Sequence, residues 1–446
     1  MLRKLPEKLD FLFLVEIPAR EEKSYYLLCE ELRRRGYSAE YLMPEEWSYR
    51  RISSEVKVVI GNSLLGTGTV GEWVYATVGK IDRVVAMRWE QIPPKTKLES
   101  TYMWKDKRDM CKTSKTINYM CWGKDFYEQS HEAGKDYKYL HLVGPVHMDF
   151  LRPAFRNSFI ERKTLLNKYN IGVGKKILFF AASFCAVNYR KAEIDMSLRV
   201  RGKEKTDEKI KFDQETQKIV LDWFERFLEV HNDWVIIYRP HPELQESKLL
   251  YEFAKQHNSF HIIRDYTVQQ WIVISDVVAM VNSTVIADAL LAQIPTVILR
   301  PLEIPSFMDS MTYEDMDLIV DYDNFEKKVI HKEGNAIANI KKYYDFSDTP
   351  SYVRICDAFE KIYKSSEYNL IWDEQDMAEI VEGANKALER TRKSDKKNLF
   401  KLLLKRYLRR TRGGAFISKK ILKSYGYREE YNKIRDVVYN EAVRQV

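Results

Sequence analysis

The strongest constraint on how this chain can fold is an alternation that runs through it twice. Short apolar runs, rich in β-branched and aromatic residues, are separated by helix-length amphipathic stretches. The first block opens with an apolar run at Phe11–Glu16. A helical pattern follows at Glu21–Arg35, where Tyr25, Leu28, Cys29 and Leu32 recur at helical spacing and Gly36 ends the pattern. Further apolar runs lie at Val56–Ile60, Val84–Met87, Ile117–Cys121 and Tyr139–Val143. The second block restarts at Lys176–Ala181, with further runs at Trp234–Tyr238, His261–Ile263, Val277–Val281 and Thr296–Leu299. Helical patterns fall between them at Thr216–Val230, Ser247–His257, Val268–Ile274 and Thr284–Ala292. Strands that alternate with helices predict parallel sheets covered on both faces.

The fold class expected is therefore α/β, with two Rossmann-like, doubly wound domains facing a cleft and a helical C-terminal extension. The expected boundaries are 1–165, 170–345 and 346–446, the first lying in the Pro153–Gly174 region. Helical patterns in the extension fall at Tyr352–Lys364, Asp376–Arg390, Asn398–Arg410 and Glu429–Arg444. Ligands of such sheets sit outside the carboxyl ends of the strands, so functional motifs should follow strands directly.

Composition excludes several other classes. With 45% hydrophobic and 13% aromatic residues in 446, the chain can build large cores and is not disordered. Five cysteines, at 29, 111, 121, 185 and 356, form neither a CxxC pair nor an even framework, which argues against disulfide scaffolds and cysteine-based zinc modules. The eight histidines are scattered, so no metal site and no cofactor is expected. The apolar run Phe11–Val15 is shorter than a signal-peptide core, and no stretch reaches the roughly 20 apolar residues of a membrane span. A cytoplasmic protein is expected.

The net charge of +8 is concentrated near the C-terminus. Residues 390–423 hold fourteen Lys or Arg and one acid, leaving the rest of the chain mildly acidic. Within this segment Phe400, Leu403, Leu404 and Tyr407 form one helical stripe flanked by Lys401, Lys405, Arg406, Arg409 and Arg410. Such a helix reads as an anchor on an anionic membrane surface. Packing of the stripe on the protein body is the competing reading. Nucleic acid is not an expected partner, because no aromatic-interleaved module accompanies the charge.

The sharpest motif is Tyr238-Arg239-Pro240-His241-Pro242-Glu243, directly after a strand. Two prolines stiffen the turn and hold His241 in a defined direction, and Arg239 supplies donors suited to phosphate oxygens. Asn282-Ser283-Thr284 also follows a strand and opens a helix, where capping side chains and free N–H groups make an anion site. Asp288, one turn on, could reach a ribose hydroxyl or simply face solvent. Ser183 and Asn188, in the loop after the first strand of the second block, are further cleft candidates, as is Glu243. In the first block Glu16, Glu90 and His147 are candidate catalytic bases. For Glu16 a structural pair with Arg20 competes, and Trp89 beside Glu90 suggests an aromatic platform for a sugar. Gly66, Gly68 and Gly71 match GxGxxG literally but do not follow the first strand tightly, which points to a glycine-rich loop rather than a dinucleotide site.

Taken in order, LVEIPAREEKSYYLLCEELRRRGY, WGKDFYEQSHEAG with LVGPVHMDFLRP, FFAASFCAVN, YRPHPE and WIVISDVVAMVNSTVIADALLAQIPTVILRP resemble the bacterial surface carbohydrate biosynthesis proteins over roughly residues 10–305. These are glycosyltransferase-like proteins of the GT-B fold, encoded with capsule or O-antigen genes. The RPHP turn with its downstream Ser/Thr pair also resembles the HP and SS motifs of polysialyltransferases, Kdo transferases and CDP-glycerol phosphotransferases. The resemblance implies that His241, Ser283 and Thr284 hold the phosphate of a nucleotide-activated donor. It implies a metal-independent glycosyltransferase that uses a CMP-, CDP- or UDP-type nucleotide sugar and a glycan or lipid-linked acceptor; peripheral association at the inner membrane face is expected from the basic 390–423 segment alone, which lies outside the resemblance. A CDP-polyol phosphotransferase, a nucleotide-sugar 2-epimerase and a non-catalytic glycan-binding module are the alternatives. Asp288 stands where related proteins often place Glu, and the acidic catalytic motif of the polysialyltransferases has no clear counterpart.

Overall fold

The computed structural model describes residues 5–47, 51–89, 91–92, 112–241, 247–335, 340–393 and 427–444. The chain divides into two compact units. One holds the described residues up to Gln91, those up to Phe150 and those from Lys341 on; the other holds Leu151–Ile340 together with Ile92. Each is built on its own six-stranded sheet.

The first sheet contains β1 (Lys8–Leu14), β2 (Ala39–Leu42), β3 (Glu55–Gly61), β4 (Val84–Ala86), β5 (Asn118–Cys121) and β6 (Leu140–Leu142). They run in the order β2-β1-β3-β4-β5-β6, and every pairing is parallel. Phe11, Leu12, Phe13 and Leu14 are all buried, as expected of a strand covered on both faces. β2 escaped the sequence reading because AEYL carries no apolar run.

The helices after residue 341 do not form a separate extension; they complete the first unit. Helix Ser351–Lys364 places Phe359 against Phe11 and Phe13, with centroids 6.0 and 5.8 Å apart. The buried Asp149 carboxylate accepts from the N–H groups of Ser351 and Tyr352 at 3.0 and 2.6 Å, capping that helix from two hundred residues away. Helix Glu374–Lys393 lies on the segment that opens with the GxGxxG match. A Cβ at Gly71 would stand 2.4 Å from the Ile380 carbonyl oxygen. The glycine there serves close backbone packing, and the loop is not a phosphate cradle. Helix Tyr427–Arg444 packs on helix Pro18–Arg34, with Tyr26 and Tyr431 centroids 4.6 Å apart. The helical pattern at 398–410 and most of the basic 390–423 segment lie outside the described residues. Among the described residues, no helix is long and apolar enough to cross a membrane.

The second sheet contains β7 (Lys176–Ala181), β8 (Trp234–Arg239), β9 (Phe260–Ile262), β10 (Val277–Met280), β11 (Thr296–Leu299) and β12 (Leu318–Ile319). Their order is β12-β11-β10-β7-β8-β9, again all parallel. Counted from β7, this is the strand order of a Rossmann fold. A core of Leu178, Phe180, Phe224, Trp234, Ile236, Phe260 and Phe325 fills one face. The crossover from β7 to β8 holds two helices, Lys191–Arg201 and Lys203–Val230. The sequence reading began the second only at Thr216, because the first half is mostly charged and exposes most of its surface.

In both sheets the chain reverses its direction of strand addition beside the first strand. These switch points, β1/β3 and β7/β10, are where open parallel sheets leave a crevice at the strand ends.

Candidate functional site

At the β7/β10 switch point a cavity of about 420 Å³ opens within the second unit. Three strand-end segments supply its floor: Ala182, Ser183 and Cys185 after β7, His241 after β8, and Asn282, Ser283 and Thr284 after β10. The Asn282 N–H donates to Ser183 Oγ at 3.3 Å, so one hydrogen bond spans the crevice. Phe307, Met308, Asp309, Ser310, Thr312 and Tyr313 form another wall, and Arg201, Lys209, Phe212 and Asp213 of the β7–β8 crossover line it as well.

The wall is fastened to the floor at one turn. Tyr313 Oη accepts from the Ser283 N–H and donates to the Ser283 carbonyl, both at 2.6 Å. Asn282 Nδ2 donates to the Met308 carbonyl at 2.6 Å. Behind them Arg300 pairs with Asp309 at 3.2 Å, its guanidinium 4.7 Å above the Tyr313 ring. The sequence reading missed Tyr313, since an isolated Tyr in a 3-10 turn carries no motif.

The following helix, Val285–Leu291, is short, and its first donors are largely spent. Ser283 Oγ accepts from the Val285 N–H at 3.3 Å, while Ile286 and Ala287 donate to the carbonyls of Ser283 and Thr284. Thr284 is exposed, and its hydroxyl and N–H bond to none of the described residues. The expected row of free N–H groups is thus reduced to one residue's donors.

No family model matches the chain, and a search of curated proteins returns no match. Solved structures do match. The wall teichoic acid polymerase TagF superposes with a TM-score of 0.51 and 14% identity over 80% of this chain and 89% of that one. MnaA of S. aureus, solved with UDP, gives 0.49 and 12% over 80% and 97%. The UDP-GlcNAc 2-epimerase of Methanocaldococcus jannaschii gives 0.47 and 13% over 79% and 99%. The fold is GT-B-like.

His241, Ser183, Ser283 and Thr284 converge on one cavity. Arg239 does not join them. Its Nη1 and Nη2 donate to the carbonyls of Asp265 and Tyr266 at 2.9 and 2.6 Å, bracing a loop in which Tyr266 holds a left-handed φ of 65°. Asp288 is buried outside the lining and accepts from Gln269 Nε2 at 2.8 Å; burial pushes its carboxyl up to about 7. It supports the short helix instead of reaching a ribose. Asn188 is exposed beyond the cavity. Glu243 and Glu90 lie outside the described residues.

In the first unit Glu16 occupies the equivalent switch point. Its carboxylate accepts from the N–H and hydroxyl of Ser63, after β3, at 2.7 and 2.8 Å. Burial raises its pKa, while the Ser63 bonds pull the other way. Beneath it Glu21 is fully buried and accepts from the Glu16 N–H at 2.7 Å. Burial, reinforced by the Glu16 charge, pushes Glu21 up to about 8, so it is largely neutral at pH 7. Sequence reasoning passed over Glu21 because it reads as an ordinary first-turn acid. His147 packs between Trp89 and Trp122, with centroids 5.4 and 5.0 Å away. Desolvation there and the nearby Arg20 hold its imidazole down to about 3, which makes it a weak base at neutral pH. Trp89 is itself buried and offers no exposed platform to a sugar. Among the described residues, no group of three or more His, Cys, Asp or Glu could hold a metal ion.

Proposed function

We propose that this protein is a transferase of cell-surface polysaccharide synthesis that binds a nucleotide-activated donor through the second unit. The observation that carries the reading is the convergence of His241, Ser183 and Thr284 on one switch-point cavity. An imidazole and open hydroxyls at parallel strand ends suit phosphate oxygens and can stabilise the charge that develops on a departing phosphate. Transfer of a sugar is the leading reaction, the nucleotide leaving through the second unit's cavity. The group of surface carbohydrate proteins resembled in sequence is consistent with this reading.

The test is calorimetric titration of the full chain with CMP, CDP, UDP and GDP and their sugar or glycerol derivatives. His241→Ala should weaken the best nucleotide roughly ten- to hundred-fold, the range for a hydrogen bond to a charged group. Turnover should fall about two orders of magnitude, with the circular dichroism spectrum unchanged. Wild-type affinity and turnover in that variant would remove His241 from the site. Silence towards the whole panel would leave a non-catalytic glycan-binding module as the better reading. Conversion of a nucleotide sugar without any acceptor would identify an epimerase, and a phosphodiester product a polyol phosphotransferase.

A further inference from the structure

The cavity contains a second set of polar groups, carried by a different element. Helix Lys191–Arg201 and helix Lys203–Val230 meet at Gly202, whose φ of 81° suits glycine and breaks what would otherwise be one rod. The buried hydroxyls of Ser197 and Thr206, 3.0 Å apart, hold the two helices together at the bend. The bend delivers three cations to one side of the cavity. Arg201 and Lys209 line it, and Lys205 sits 5.3 Å over the ring of Phe307, itself a lining residue.

The acids on the same wall are already engaged. Asp213 accepts from the Ala186 N–H at 2.8 Å and from Lys209 at 3.4 Å, and Asp309 pairs with Arg300. Arg201 and Lys205, by contrast, form no ion pair with any described residue, and Lys205 lies over the Phe307 ring. The cavity thus has neutral donors and an imidazole at the strand ends, and two cations on the crossover helices, Arg201 and Lys209, of which Lys209 shares its charge with Asp213. Two donor sets of different charge within one cavity suit two phosphates of different charge. A terminal phosphate, the more anionic of the pair, favours the fixed cations, and a guanidinium fork matches its oxygens.

We propose that the pocket is built for a nucleoside diphosphate, with Arg201 and Lys209 binding the second phosphate that a nucleoside monophosphate lacks. This rests on the nucleotide reading of the same cavity and narrows its ligand class. Arg201 is exposed and forms no ion pair with any described residue, so Arg201→Ala removes its charge with little change in packing. Lys209→Ala is less clean, because it also releases Asp213.

The experiment is isothermal titration of the full chain, wild type and Arg201→Ala, with the pairs CMP/CDP and UMP/UDP and with orthophosphate and pyrophosphate. In the wild type the diphosphate of the preferred base should bind about ten-fold tighter than the monophosphate, equivalent to about 1.4 kcal/mol. Arg201→Ala should remove most of that advantage and weaken pyrophosphate in parallel, leaving the monophosphate unchanged. The advantage should also shrink as salt is raised. Equal affinities for the two members of a pair, or equal losses for both in the variant, would overturn the diphosphate assignment and leave nucleotide binding intact. Absence of binding by every nucleotide would overturn both.

Discussion

Two buried carboxyl groups make the stability of this protein sensitive to pH. Glu21 stands near 8 against an ordinary 4.5, and Asp288 near 7 against 3.8, each raised chiefly by burial. A raised carboxyl pKa means that the folded state holds a proton which the unfolded chain releases. Stability from that proton is complete below the ordinary value and is lost as pH rises through the folded one. For Glu21 the loss falls between about pH 4.5 and 8 and is on the order of 4 kcal/mol. Glu21→Gln keeps an acceptor for the Glu16 N–H and cannot ionise. We expect it to melt much as wild type at pH 5 and clearly higher at pH 8, with Asp288→Asn flattening the remaining slope. Melting curves that stay parallel across this range would show Glu21 to be ionised in the fold. At this scale the sequence was informative about where His241, Ser183, Ser283 and Thr284 lie, on the lining of one cavity, because each sits in a strand-end motif. It was uninformative for Glu21 and Tyr313, whose roles come from burial and from a hydrogen-bonded turn that no local pattern encodes.

Among the elements, the glycine-rich stretch shows how one pattern can serve two ends. Gly66, Gly68 and Gly71 match a phosphate-loop spacing, yet Gly71 meets the backbone of helix Glu374–Lys393. Thr67 Oγ1 donates to Glu379 of that helix at 2.6 Å, so the contact is polar as well as close. A methyl group at residue 71 must push the two backbones apart. Gly71→Ala should cost about 1–3 kcal/mol, the range for overpacking a filled contact, and chemical denaturation should show it. Unchanged stability would mean that the helix can slide to make room. Strands and helices with strong periodicity were legible, as at Phe11–Glu16 and Tyr352–Lys364. The short strands β2 and β12 and the charged half of helix Lys203–Val230 were not, since their form depends on neighbours in the sheet and the crossover.

For the molecule as a whole, the main consequence is that the first unit is discontinuous in sequence. Residues after 341 supply Phe359, Ile355 and Cys356 to its core, and Arg35 closes the contact through Asp357 and Glu360 at 2.6 and 3.0 Å. A chain ending at residue 340 would expose the apolar faces of β1 and helix Pro18–Arg34. We expect that chain to lose the cooperative unfolding of the first unit and to be cut rapidly there by protease, while the second unit, whose Leu151–Ile340 span is kept whole, stays resistant. Equal resistance of both units would show the C-terminal helices to be dispensable.

From the sequence alone came the α/β class, the two parallel sheets and the strand ends at which to look for chemistry. Those follow from periodicity and from turn residues, which act over a few neighbours. Tertiary structure alone decided that Arg239 braces a loop, that Asp288 is buried away from the cavity, and that the C-terminal helices complete the first unit. It also brought Arg201 and Lys209 to the cavity occupied by His241. These outcomes depend on which distant side chains exclude water together, and burial of that kind is a property of the packed chain.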